Sequence, residues 1–381
     1  MSKNLIAAGV CVASHWRSEH VAAICRSDND GAPLIRAEHV VRVSPQLDVW
    51  DAWPVQTQDG YPIEAEPGET LWMALGAPRF SDPDERHGHA RIHLIGRAGE
   101  AWIDYGPAMP DGFSPGSREW SGSAVLEADG STVTLYFTAS GRRGEAALSF
   151  EQRIFRARST LTHAPHGWRL VAWRQLEEIV ERDPALYMAS DSGSGKINTI
   201  KAYRDPAFFH DPANGRDYLL FAASQANSLS AFNGVIGAAS RDGDDDDWGI
   251  LPPIVTADGL NNELERPHVV HHHGLYYLFW STQQHVFDPQ GPIGPTGLYG
   301  MVAESMRGPW APLNGTGLVF ANPLAAPRQA YSWLVMPDLQ VTSFIDDWGH
   351  GEADNAERQF GATFAPMLRL QVSGPETQLV G

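Results

Sequence analysis

The sequence predicts an all-β fold, and three observations carry that expectation. Helical 3.6-residue periodicity is scarce beyond roughly the first 30 residues, whereas β-branched and aromatic runs bounded by Gly, Pro, Asp and Asn recur to the end. The 381 residues hold 37 Gly, 27 Pro and 13 Trp, a composition that makes many turns and presents aromatic surfaces. Polar stations also precede apolar runs at long, regular intervals, which points to one repeated unit.

Taken in chain order, residues 1–44 read as an N-terminal extension packing on a single domain, residues 45–381. Lys3 precedes an apolar stretch, Leu5 to Ala13, and the small Ser14. That copy of a leader is shorter than the usual ~15–30 residues and is read as part of the mature chain. Cys11 and Cys25 make neither a disulfide framework nor a zinc spacing. They are read as unpaired small hydrophobes, with a single bridge as the alternative.

From residue 45 onward, five runs read as equivalent strands: Thr70–Gly76, Thr132–Thr138, Tyr218–Ser224, Leu275–Ser281 and Val341–Ile345. Before each lies a station: Trp50-Asp51, Trp120-Ser121, Arg204-Asp205, Glu263 with Glu265, and Tyr331. The steps from Asp51 to Trp120, Asp205, Glu265 and Tyr331 are 69, 85, 60 and 66 residues. This spacing predicts a five-bladed β-propeller of large blades, about four strands each. The first strand of each blade lines the central channel, so the stations converge on one funnel-shaped active site. Two insertions interrupt the rhythm: residues 176–200, read as a long surface loop, and Thr282 to Gly297, read as a wall of the pocket mouth.

The formal net charge of −18 argues against nucleic acid and anionic membrane surfaces as partners, while a neutral sugar is indifferent to that field. No apolar run approaches the ~20 residues that span a bilayer. An aspartate set between two indoles, Trp50-Asp51-Ala52-Trp53, suits a sugar site, because tryptophan faces stack on sugar C–H faces while a carboxylate does chemistry. Asp51, Asp205 and Glu265 fall on three blades, and glycoside cleavage needs two carboxyl groups, with a third free to grip hydroxyls. Glu263 and Glu265 alternate by two and share one face in a strand, where nearness of like charges raises the pKa of one.

Trp50-Asp51-Ala-Trp-Pro54, Glu119-Trp-Ser-Gly-Ser-Ala124, Tyr203-Arg-Asp-Pro206, Glu263-Leu-Glu-Arg-Pro267 and Tyr331-Ser332 resemble the motifs of the levansucrase family. That family also includes inulosucrases and bacterial β-fructofuranosidases, and the Gram-negative branch is the nearest likeness. The resemblance runs from about Trp16 to the C-terminal region and implies a five-bladed propeller acting on sucrose and sugar acceptors. It implies Asp51 as the nucleophile on the fructosyl C2, Glu265 as acid and base, and Asp205 as the transition-state stabiliser. Trp50 and Trp120 would wall the fructosyl site, Ser121 would orient Asp51, and Arg204, Glu263 and Tyr331 would bind hydroxyls and tune Glu265. Where relatives often place Arg or His for the glucosyl or acceptor unit, this chain has Gln283, with His285 close by. Gram-positive relatives carry a calcium on an Asp where Asn262 stands, so no metal and no cofactor are expected.

Transfer to sugars is the leading expectation, with levan or short oligosaccharides as products. Alternatives are hydrolysis by a β-fructofuranosidase (invertase), an arabinose- or xylose-polymer hydrolase, and a non-catalytic sugar-binding propeller. Sucrose is met mostly outside the cytoplasm, so an extracellular or periplasmic location is expected by analogy, with a cytoplasmic one still open. Oligomeric state is left open. Other runs are read as plain structure: Arg182-Asp183-Pro184 as a loop turn, Asp244 to Asp247 as a solvated charge cluster, and His271-His-His273 with Gly274 as a hairpin turn. Ser192-Gly-Ser-Gly-Lys196 lacks the Walker arrangement and is not read as a phosphate loop.

Overall fold

The computed structural model describes residues 13–26, 31–192, 200–243, 246–349 and 358–380. Cys11, Leu5 to Val12, most of the Ser192–Lys196 stretch, Asp244 and Asp245 lie outside the described residues. Cys25 is exposed. The fold is all-β, and among the described residues the helical turns are short and lie between strands.

The strands follow one another as antiparallel meanders. The first runs through Leu47–Gln56, Glu69–Pro78, Arg91–Ala98 and Ala101–Pro107. Arg118–Leu126, Thr132–Ser140, Gln152–Ala164 and Gly167–Val180 form the second. Tyr203–His210, Arg216–Ser224, Gly234–Asp242 and Gly249–Thr256 form the third. In the fourth, Glu265–His272 and Leu275–Thr282 lead to Gly297–Ala303, which pairs with both Ala311–Pro312 and Leu318–Ala321. Ala330–Val335, Gln340–Ile345, Leu368–Ser373 and Glu376–Val380 make the last. A parallel pair, Val55 with Ala124 and Gln56 with Val125, fuses the first two meanders, together with the short strand Glu64–Glu66 on Glu69–Pro78, into a nine-stranded sheet, so hydrogen bonding yields four sheets among the described residues.

We number the lead strand of each meander: β1 Leu47–Gln56, β2 Arg118–Leu126, β3 Tyr203–His210, β4 Glu265–His272 and β5 Ala330–Val335. All of them border one cavity of about 250 Å³, lined among others by Trp53, Ser123, Phe208, Val270 and Leu334. The lead strands therefore surround a common axis. Their second-strand partners coincide with the five apolar runs of the sequence, and their buried side chains form the core.

Local chemistry explains individual turns. His273 (φ 50°) and Gly274 (φ 80°) form a two-residue hairpin between His272 and Leu275, as the His-rich run predicts. Arg182-Asp183-Pro184 is a turn: Asp183 caps the Ala185 amide at 2.8 Å and Arg182 donates to the Tyr187 carbonyl at 2.9 Å. The 176–200 segment differs from its expectation. Its first part continues the strand Gly167–Val180, whose polar, exposed and repeatedly bulged edge carries no strand-like alternation. The described residues of the N-terminal segment contact the later strands. Ser14–His15 pairs with Val255 and Thr256, and Trp16 is buried against Trp280, Phe287 and Tyr299.

Candidate active site

Each lead strand breaks its ladder at the same point. Register shifts fall between Trp50 and Trp53, Trp120 and Gly122, Arg204 and Ala207, Glu265 and His268, and Tyr331 and Leu334. These are β-bulges, which kink a strand and re-aim a side chain. The residue that enters the bulge takes a left-handed backbone in Asp51 (φ 51°), Asp205 (φ 63°), Arg266 (φ 49°) and Ser332 (φ 61°). Non-glycine residues in that region cost about 1–3 kcal/mol each and cluster where function requires them. In β2, Gly122 completes the bulge, since a Cβ there would lie 1.9 Å from the Tyr136 carbonyl oxygen.

The bulges sort the stations into two rows. Trp50, Trp120, Arg204, Glu265 and Tyr331 are the last paired residues before the bulge, and Asp51, Ser121, Asp205, Arg266 and Ser332 follow them. Sequence spacing set Asp51 level with Trp120 and Glu265, mixing the rows by one residue. It also passed over Arg266, which holds the place in β4 that Asp51 holds in β1 and Asp205 in β3.

Ser121 Oγ donates to Asp51 Oδ2 at 2.8 Å, so β2 holds the β1 carboxylate. Thr138 Oγ1 donates to the Ser121 carbonyl at 3.1 Å and accepts from the Asp205 amide at 2.9 Å, tying β2 to β3. Arg204 Nη2 lies 2.7 Å from Glu265 Oε1 and 3.5 Å from Glu263 Oε2, and its Nε is 3.7 Å from Asp205 Oδ2. The Tyr331 hydroxyl donates to the other Glu265 oxygen, Oε2. Strand β4 begins at Glu265, so Glu263 stands on its approach, yet both glutamates reach the same guanidinium. Trp50 is buried and Trp120 half-buried, next in sequence to Asp51 and Ser121. Gln283 precedes the short turn Gln284–Val286, and among the described residues no hydrogen bond ties its side chain to the acidic group.

Arg266, 6% exposed, staples three lead strands. Its Nη2 donates to the Ala52 carbonyl at 2.7 Å and its Nη1 to Ser332 Oγ at 2.8 Å. Arg266→Met is expected to lower unfolding free energy by about 2–3 kcal/mol, because buried acceptors lose a charged donor. Urea unfolding measures this, and an unchanged midpoint would mean that Arg266 does not hold the strands.

Four carboxyl groups, Asp51, Asp205, Glu263 and Glu265, share the site with the buried Arg204 and Arg266. Burial pushes Asp205 up to about 7, with Glu265 and Asp51 adding to the push and Arg204 opposing it. Burial and the neighbouring Glu265 likewise push Glu263 up to about 7 against the pull of Arg204. Burial works against the charge of Arg204, but Glu265, Glu263 and Asp205 overcome it and keep the guanidinium protonated. Burial, then Glu265, drives the Tyr331 hydroxyl well above its ordinary range, so it remains a donor. The site can therefore hold both ionised and protonated carboxyls near neutral pH, which is what acid–base work on a glycosidic bond requires.

Further side chains at the site carry no motif in the sequence. Arg86, in the short turn Pro83–Gly88, lies over Trp50 at 5.3 Å and over Phe360 at 4.1 Å, and Asp51 acts on its charge. Arg358 bridges Asp84 and Asp346. Partial desolvation lowers His285, with Glu265, Asp346 and Asp84 pulling the other way, so it lies within electrostatic reach of them. Arg86 and Arg358 come from loops, where neither periodicity nor spacing marks them, whereas His285 belongs to the stretch beside Gln283 that the resemblance singled out. The Asn262 side-chain oxygen accepts from Lys201 Nζ at 2.8 Å. Among the described residues, no group of three or more His, Cys, Asp or Glu side chains has the geometry to hold a metal ion.

The family profile described as Levansucrase/Invertase matches residues 9–235 and 225–380. A levansucrase from Rahnella aquatilis is 30% identical over 383 aligned residues, covering 90% of this chain and 88% of its own. An extracellular sucrase from Zymomonas mobilis is 28% identical, covering 96% of this chain and 92% of its own. Among solved structures, an inulosucrase from Halalkalicoccus jeotgali bound to kestose superposes with a TM-score of 0.88 at 36% identity, covering 97% of this chain and 96% of that one.

Proposed function

Because the chain belongs to the levansucrase/invertase family, glycoside hydrolase family 68, we propose that it is a fructosyltransferase that cleaves sucrose through a covalent fructosyl-enzyme. The observation that carries this reading is the convergence of Asp51, Asp205 and Glu265 at the bulges of β1, β3 and β4, with Ser121 bound to Asp51 and with Arg204 and Tyr331 bound to Glu265. The meanders are read as the blades of a five-bladed propeller, which accounts for lead strands that surround one axis.

Asp51 attacks C2 of the fructosyl unit as the C2–O bond to glucose breaks. Glu265 gives its proton to that oxygen, so glucose leaves neutral. In the second step Glu265 takes the proton of an acceptor hydroxyl, the acceptor oxygen bonds to C2, and Asp51 leaves as a carboxylate. Two easier displacements replace one difficult one, and the anomeric configuration is retained. Asp205 stabilises positive charge as the ring gains oxocarbenium character. Trp50 and Trp120 stack on the fructosyl ring, Glu263 and Arg204 bind its hydroxyls, and Gln283 serves the glucosyl or acceptor unit. We place the enzyme outside the cytoplasm, in line with the name of the Zymomonas mobilis relative.

A sucrose time course tests the reading, with glucose and free fructose quantified separately. Glucose is expected well in excess of fructose, with the missing fructosyl units recovered in oligosaccharides or polymer. Equal amounts would make the protein a β-fructofuranosidase. Release of neither sugar would overturn the assignment to sucrose.

A further inference from the structure

Two residues before β3, Lys201 is buried, with 9% of its surface exposed. Its ammonium donates to the Ala231 carbonyl at 2.5 Å, Asn233 Oδ1 at 2.8 Å and Asn262 Oδ1 at 2.8 Å. Three acceptors use all three of its N–H donors. A full charge is thus held inside the protein by neutral oxygens. Such burial lowers the pKa of Lys201, and Glu263 is the charge that opposes the shift.

This ammonium fixes which way the Asn262 amide faces. With Oδ1 held by Lys201, Nδ2 points to the Ile200 carbonyl at 3.1 Å and to Glu263 Oε1 at 3.3 Å. Turned over, the amide would set N–H groups against the ammonium and its oxygen against two oxygens, so only one orientation is stable. Glu263 is also held by its backbone amide, which donates to Asn261 Oδ1 at 2.8 Å. Its second oxygen lies 3.5 Å from Arg204 Nη2, the atom that binds Glu265 at 2.7 Å. Lys201, Asn262, Glu263, Arg204 and Glu265 form one continuous polar chain.

We propose that Lys201 is a positioning residue for sucrose cleavage, its ammonium orienting Asn262 and Glu263 so that Arg204 aims the Glu265 carboxyl at the glycosidic oxygen. The proposal rests on the reading of Glu265 as the general acid. Lysine suits the task because a compact three-donor cation satisfies three converging oxygens, whereas the planar fork of arginine does not.

The test compares kcat/KM for two substrates, because that ratio reports the first, fructosyl-forming step. Sucrose needs a proton on its leaving oxygen. p-Nitrophenyl β-D-fructofuranoside departs as a stable phenolate and needs little help. Lys201→Met and Asn262→Ser are each expected to lower kcat/KM for sucrose about tenfold more than for the nitrophenyl substrate, because any loss of the Glu263 and Arg204 contacts to the shared fructosyl hydroxyls falls equally on both. Glu265→Gln should show the same preference more strongly. Asn262→Ser leaves Lys201 two of its acceptors, so it decides the matter if Lys201→Met does not fold.

Equal losses on both substrates in Lys201→Met and Asn262→Ser, or no loss on either, would overturn the positioning role. If Glu265→Gln kept its preference in that case, the acid assignment would survive. Loss of the preference in Glu265→Gln itself would overturn the acid assignment and the positioning role with it.

Discussion

Asp51→Asn is expected to lower kcat/KM for sucrose on the order of 10⁴-fold or more, the scale seen when a covalent nucleophile is removed. The change is small in every other respect. Asparagine is among the few residues at ease in the left-handed region, so the φ of 51° at this position costs it little. Its amide oxygen still accepts from Ser121 Oγ, the contact that spans 2.8 Å to the aspartate. What is lost is the negative oxygen that bonds to C2. Two measurements check this. Glucose release gives the rate, and mass spectrometry of acid-quenched protein looks for a fructosyl adduct on the wild type that the variant lacks. Turnover within tenfold of wild type, in a folded variant, would remove Asp51 from the chemistry and leave it a sugar-binding residue.

The same bulge that presents Asp51 explains what was legible in the sequence and what was not. Polar and aromatic islands before apolar runs mark Trp50-Asp51, Trp120-Ser121, Arg204-Asp205, Glu265 and Tyr331, because a channel-lining end must be polar while the following strand is buried on both faces. A bulge adds one residue to one strand without altering composition, so counting along the chain cannot place Arg266 level with Asp51. The pairing partners decide it: Glu265 faces Ser281 as Trp50 faces Leu75. Arg86, Arg358 and Asp346 stayed hidden for a different reason. They reach the site from connections between strands, and Arg358 meets Asp84 across 274 residues of sequence. Lys201 reads as an ordinary polar residue until three oxygens are found around it.

Asp205→Asn tests whether the remaining charge at the site is there for chemistry or for the fold, because the two roles predict opposite signs. As a stabiliser of the oxocarbenium-like transition state, Asp205 is expected to contribute about 10³-fold to kcat, comparable to a strong electrostatic group in a dry site. As a folded-state group it carries a liability. Its pKa is raised from the ordinary 3.8 to about 7, chiefly by burial and then by Glu265 and Asp51 against the pull of Arg204. A carboxyl raised in the folded state contributes stability that is fully present below its unfolded pKa and is lost as pH rises through the folded one. The wild type therefore bears the cost of ionising Asp205 above about pH 7.

Asparagine does not titrate, and its backbone amide keeps the bond to Thr138 Oγ1 at 2.9 Å. It also relieves Glu263, whose pKa Asp205 helps to raise. Against this, Arg204 loses one of its three carboxylate neighbours, which reduces the gain. Urea unfolding at pH 8 should show the variant more stable by about 2 kcal/mol, with the difference shrinking towards pH 4. A structural aspartate behaves the other way: its removal destabilises most where it is ionised. A variant that is inactive but sturdier at pH 8 would mean that the fold tolerates this carboxylate only because the reaction uses its charge. One that is inactive and weaker at pH 8 would assign Asp205 to the framework.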